Sequence, residues 1–186
     1  MTPDPGRVVE IWTAPEKGAP VVAHDDIDAV AGHGLEGDRK AGLNDKPGRQ
    51  VTLVAKEAIE ALFGQGIELP PGGTRRNLVT EGVDLNALVG ARFSVGDVEL
   101  VGARLCHPCT YLEGLQGLPG LKAGLAGRGG LNADILRGGT IHVGDAVVVS
   151  ASVVNAGVVE AGVVNAGVRE AGKDGGPTTP GARERT

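Results

Sequence analysis

The sequence predicts a mainly β fold, a closed or nearly closed barrel with a few short helices, and three observations carry that reading. Short apolar segments follow one another at close spacing with glycine turns between them. Glycine accounts for 32 of 186 residues while Trp, Tyr and Phe total four, so the core is aliphatic and the chain turns often. The long helices that alternate with strands in a parallel α/β fold are missing. Val, Leu, Ile and Phe make up about a quarter of the chain, enough for one globular core and above the level of wholesale disorder.

Residues 6–12 read as the first strand, and Pro15, Gly18 and Pro20 punctuate the loop after it. Val21 and Val22 then lead into a turn-rich segment. Gly32, Gly34 and Gly37 open backbone angles closed to other residues, so 32–40 is expected to be a shaped loop or a simple hairpin connection. A short apolar strand at 50–54 is followed by good helix formers at 55–63, with Ile59, Leu62 and Phe63 on one face and Gly64 as the stop. The Pro70-Pro71-Gly72-Gly73 turn leads into a strand at 75–80, and 84–90 has the pattern of one capped helical turn. Strands at 91–95 and 98–105, joined by Gly96-Asp97, form a hairpin that delivers the chain to Cys106. Residues 110–127 are Leu/Gly-rich with a short helix expected around 121–125. Strands follow at 131–136, 140–143 and 146–150, the last two joined by Gly144-Asp145.

From Val153 onward a five-residue repeat of Val-Val-x-Ala-Gly type runs to Gly172, a period that suits neither strand nor helix. Residues 173–186 are rich in Gly, Pro, Thr and mixed charge. The expected organisation is therefore one domain over 1–150 and a low-complexity, disordered tail over 151–186. The exposed valines of the repeat could pair with a sheet edge or promote self-association.

The 18 basic and 23 acidic residues leave a net charge of -5, which disfavours nucleic-acid binding through a broad basic face. No apolar run is long enough to span a bilayer, and the first residues lack a signal-peptide pattern, so no membrane association and a cytoplasmic location are expected.

The strongest chemical signal is Leu105-Cys106-His107-Pro108-Cys109. A cysteine at a strand end, beside a histidine and at a helix start, can have its thiolate stabilised by positive charge or free N–H groups. Such a thiolate can bind a metal, carry a sulfane sulfur or attack an electrophile. The alternatives are two buried structural thiols and a thioredoxin-like Cys-x-x-Cys; a closed zinc site would need scattered His24, His33 or His142. Arg75-Arg76-Asn77 offers a fork-shaped cation and an amide suited to phosphate or an anionic cofactor, or else solvated arginines at a strand end. In Arg128-Gly129-Gly130 the arginine can clamp an anion while the glycines permit close approach.

Taken in order, Gly34-Leu35-Glu36-Gly37-Asp38-Arg39, Arg49-Gln50-Val51-Thr52-Leu53, Arg75-Arg76-Asn77-Leu78-Val79, Gly96-Asp97-Val98, Pro108-Cys109-x-x-Leu112, Arg137-Gly138-Gly139-Thr140-Ile141 and Val143-Gly144-Asp145 resemble a MOSC domain, the C-terminal domain of molybdenum cofactor sulfurases. The resemblance spans roughly residues 7–150 and leaves the repeat unexplained.

The resemblance implies a MOSC-type β-barrel and a cysteine that either ligates the metal of a molybdenum cofactor (molybdopterin) or carries sulfur from a pyridoxal-phosphate-dependent cysteine desulfurase. By motif position that cysteine is Cys109, with Cys106 as an additional thiol. Arg75 and Asn77 would hold the pterin phosphate, and Arg128, Gly129 and Gly130 would lie near the cofactor. No pyridoxal-phosphate domain fits in this length, so pyridoxal phosphate would act only through a separate partner. The chain also lacks the longer N-terminal β-domain of larger relatives such as the mitochondrial amidoxime reducing component. The leading expectation is a cofactor-binding protein that reduces N-hydroxylated small molecules with an electron-donor protein. A sulfur carrier with a persulfide on Cys109 and Cys106 as resolving thiol, or a non-catalytic binding module, are the alternatives.

Overall fold

The computed structural model describes residues 5–43 and 46–150. The expected tail over 151–186, and with it the domain boundary, lies outside the described residues.

Strand β1 (Gly6–Thr13) lies between β6 (Leu78–Glu81) and β2 (Val22–His24), and its first residues also pair with β11 (Ala146–Val149). β11 pairs with β7 (Arg92–Val95), β7 with β8 (Val98–Leu105), β8 with β9 (Leu131–Arg137), β9 with β5 (Val51–Ala55) and β5 with β6. The β1–β11 pairing joins the ends of this series, so seven strands close into a barrel with β2 attached outside the ring. Closure removes the sheet edges that short strands would otherwise expose. Only β5 and β6 are parallel within the ring, and the chain between them contains the helix α1 (Lys56–Phe63).

A small second sheet joins β10 (Gly139–His142), β3 (Asp26–Val30) and β4 (Gly34–Leu35). Here the fold departs from the sequence reading. The turn-rich segment after Val22 contains β3, and the Gly144-Asp145 turn connects strands of two different sheets. Their pairing partners, Asp26–Val30 and Arg92–Val95, are remote in sequence, so the local turn signal could not reveal them. The Leu/Gly-rich stretch holds two helices, α2 (Thr110–Gln116) and α3 (Leu121–Gly124).

Leu53, Leu78, Phe93, Leu100 and Leu131 fill the barrel and are fully buried. A second cluster packs Ala58, Leu62, Leu112, Leu121 and Leu125 of the helical layer against Val54 and Val79. β5 is therefore buried on both faces, which explains its unbroken apolar run. This helical layer also fixes the segment carrying the cysteines.

Candidate functional site

Asn77, immediately before β6, is 5% exposed and joins three segments through its side-chain amide. Its Oδ1 accepts from the backbone N–H of Thr52 at 3.0 Å and from the Thr52 hydroxyl at 2.8 Å. Its Nδ2 donates to the Trp12 carbonyl at 3.1 Å and to Asp38 Oδ2 at 3.0 Å. Every hydrogen-bonding position of the amide is thereby used, so Asn77 positions the loops around it and has none left for a ligand.

Asp38 continues the network. Its Oδ2 also accepts from Ala14 N at 3.1 Å, its Oδ1 accepts from Lys40 N at 2.9 Å, and Arg39 N donates to the Ala14 carbonyl at 2.8 Å. The glycine-rich loop is thus tied to the end of β1. As a result Arg39 and Lys40 border the same narrow slot as Arg75 and Arg76. Four cations face one buried carboxylate there, in a space of about 10 Å³, room for a water-sized group.

Arg75 is the only non-glycine among the described residues with a left-handed backbone, at φ 56°. Such a conformation costs on the order of 1–3 kcal/mol and concentrates at functional sites. Its Nη1 donates to the Ala19 carbonyl at 2.8 Å, while its Nη2 is buried with no hydrogen-bond partner among the described residues. Arg75 also borders a wider open hollow of about 370 Å³ shared with Gly72, Gly73, Leu115 and Gln116.

Arg76 connects the slot to the cysteine segment: its Nε donates to the Gly129 carbonyl at 3.0 Å and its Nη1 to the Thr74 carbonyl at 3.1 Å. The neighbouring Gly130 carbonyl accepts from Cys106 N at 2.7 Å. Both glycines are sterically required. A Cβ on Gly129 would lie 2.2 Å from the Cys106 carbonyl, and Gly130 has φ 106° with its Cβ position 2.0 Å from the Leu53 carbonyl.

The two thiols differ in setting. Cys106 is half-buried and lies near enough to Lys40 for the two to interact electrostatically. Burial, followed by the guanidinium of Arg39 and more weakly that of Arg76, holds the Lys40 ammonium below its ordinary pKa, with Cys106 and Asp38 opposing. Cys109 is exposed and caps the start of α2 through its backbone carbonyl, which accepts from Leu112 N at 3.1 Å and Glu113 N at 3.3 Å. Both cysteines are free thiols.

The structure therefore brings together Arg75, Asn77, Gly129, Gly130 and Cys106 through Arg76 and Lys40. Arg128 instead lines a different hollow, with Glu57, Asp84 and Asn86. Among the described residues no three His, Cys, Asp or Glu side chains gather as a metal-ligand set. Asp38, Lys40 and Thr52 complete the site, although the sequence assigns them no role of their own, and Arg76 joins it from the Arg-Arg-Asn triplet. The signal for the first two was a charged run directly after Gly37 in a loop that only glycine could shape.

The profile of the MOSC domain matches residues 38–148. Among solved structures, the YuaD protein from Bacillus subtilis superposes with a TM-score of 0.65 at 21% identity, covering 77% of this chain and 94% of that one. YiiM from Geobacillus stearothermophilus gives 0.57 at 16% identity, covering 78% and 75% of the respective chains. YiiM from Escherichia coli gives 0.58 at 17%, covering 81% and 72%. These likenesses show a shared fold. No curated protein matches the chain. Among the described residues no helix is long and apolar enough to cross a membrane.

Proposed function

The chain belongs to the MOSC domain family, and from that premise we propose that it binds a molybdenum cofactor and reduces N-hydroxylated small molecules with electrons from a separate protein. The observation that carries this reading is the buried, unpartnered Nη2 of Arg75 in a slot lined by four cations. A charged donor kept from water without an acceptor is costly, and an anionic oxygen such as that of a pterin phosphate would relieve the cost. The water-sized slot suits one such oxygen, and the adjoining 370 Å³ hollow suits the larger body of the group.

In this reading Arg75, with Arg39, Lys40 and Arg76, holds the anionic end, and Asn77 acts through Asp38 and Thr52 to keep those cations in place. Cys109 is the soft thiolate ligand to the metal. Gly129 and Gly130 let the cysteine segment approach the slot. The molybdenum centre, when bound, supplies two-electron redox chemistry. The test is metal analysis and pterin fluorescence of the purified protein, followed by turnover of an aryl amidoxime with reduced methyl viologen as electron source. Protein that contains stoichiometric molybdenum and consumes the amidoxime supports the reading; metal-free protein from molybdate-supplied cells overturns it.

A second reading is favoured by the exposure of Cys109 at the start of α2, where a partner protein can reach its thiol. In its thiolate form a cysteine attacks the outer sulfur of a donor persulfide, takes that sulfur and releases the donor's thiolate. The protein would then be a sulfur carrier, with a persulfide on Cys109 received from a separate pyridoxal-phosphate-dependent desulfurase. Cyanide-releasable sulfur without molybdenum distinguishes this outcome.

A further inference from the structure

We propose that the hollow lined by Arg128 is a binding site for a small zwitterion of the α-amino-acid class with a short apolar side chain, separate from the cationic slot and independent of the cofactor reading. The hollow has a volume of about 240 Å³, below the roughly 300–1,000 Å³ of pockets for drug-sized ligands, so its occupant is small. Ala55, Ala58, Val83 and Leu85 give it an apolar lining.

The exposed charged groups that line it carry both signs. Glu57 Oε1 accepts from Gly82 N at 2.7 Å, and Asp84 Oδ1 accepts from Asn86 N at 3.0 Å. The second oxygen of each carboxylate has no partner among the described residues. The Arg128 guanidinium, in the same hollow, makes no hydrogen bond or ion pair to either acid. These two acids and one cation suit an ammonium and a carboxylate presented together, whereas a simple anion would meet the acids and a simple cation the guanidinium.

The walls are held before any ligand arrives. The Asn86 Nδ2 donates to the Gly127 carbonyl at 2.9 Å, Glu57 is tied to the chain at Gly82, and Gly130 is pinned by Cys106 N on its carbonyl. Such preorganisation lowers the ordering cost of binding. The last contact also places the hollow next to the cysteine segment, through the backbone of a residue that lines both.

The experiment is an amide chemical-shift titration of the full chain with L-leucine, using isovalerate (no ammonium) and isoamylamine (no carboxylate) as controls. Saturable shifts at Ala55, Ala58, Val83 and Leu85, with both controls about tenfold weaker or more, are expected from charge-assisted bonds at each end. Arg128→Gln should weaken L-leucine by about tenfold and leave thermal stability unchanged, because the side chain is exposed and unpartnered. Asp84→Asn, which retains the acceptor for Asn86 N, should weaken L-leucine but not isovalerate, a pattern that misfolding would not produce. Absence of saturable shifts, equal affinity for isovalerate, or shifts confined to the surroundings of Arg75 and Arg76 would overturn the proposal.

Discussion

Replacing Asn77 with alanine removes four side-chain hydrogen bonds from the interior of the site: two from Thr52, one to Trp12 and one to Asp38. The Thr52 hydroxyl can reorient, and it already accepts from Asn77 N at 3.1 Å. The buried Thr52 N–H is left without the side-chain acceptor, the Trp12 carbonyl loses its side-chain donor, and the buried Asp38 carboxylate keeps only the Ala14 and Lys40 N–H groups. Each buried group left unsatisfied costs about 1–3 kcal/mol, so the loss should be about 3–5 kcal/mol. At roughly 2–4 °C per kcal/mol for a domain of this size, Tm should fall by about 6–20 °C. Thermal and urea unfolding followed by circular dichroism measure this directly. Thr52→Val, which removes only a hydroxyl, should cost about 1–2 kcal/mol and serves as an internal scale. If Asn77→Ala lowers Tm by less than about 2 °C, its amide is not the hub of the loop network and a direct ligand contact becomes the better account.

Arg75→Ala should weaken cofactor retention by about tenfold or more through loss of a charge-assisted bond, with little change in Tm because the strained backbone at φ 56° is kept; molybdenum content after desalting reads this out. Cys109→Ser should lose molybdenum while remaining folded, and Cys106→Ser should retain most of it; equal and complete loss from both would favour a joint role for the thiols. Lys40 has a folded pKa below its unfolded value of 10.5, so between those values the unfolded chain binds more protons and stability rises with pH. Below the folded pKa the penalty is fully present. Lys40→Met should abolish that alkaline gain in the pH dependence of Tm, so the variant's advantage over the parent should shrink as pH rises through the window; an advantage that grows with rising pH would refute the assignment. Truncation after Ser150 should leave Tm and cofactor content unchanged, with rapid amide exchange throughout 155–186; strong protection of the repeat would show that it belongs to the fold.

Much of the barrel was legible because its signals are local. The apolar strand at 50–54 precedes a helix with Gly64 at its stop, and Gly96-Asp97 marks a true hairpin, in which Val95 pairs with Val98. β3 was not legible: Asp26-Ile27-Asp28-Ala29-Val30 is short, two of its five residues are acidic, and it pairs with residues 139–142, more than a hundred positions away. The helix start at the cysteines was legible but the extent of α2 was not, because glycine and threonine lower helix propensity around Leu112, whose burial against α1 and α3 decides the matter.

The same division holds at the site. Glycine spacing, the Arg-Arg-Asn triplet and the Cys-His-Pro-Cys run were enough to mark which segments carry chemistry, because backbone freedom, fork-shaped charge and thiol reactivity are properties of single residue types. Which of them meet was decided only by tertiary structure. Asn77 spends its amide on Trp12, Thr52 and Asp38, Arg75 retains a buried nitrogen without a partner, Cys106 neighbours Lys40, and Arg128 turns to another hollow. These outcomes depend on barrel closure and on strand register across separations of tens of residues, and a one-residue slip in that register would invert the faces that bring the groups together.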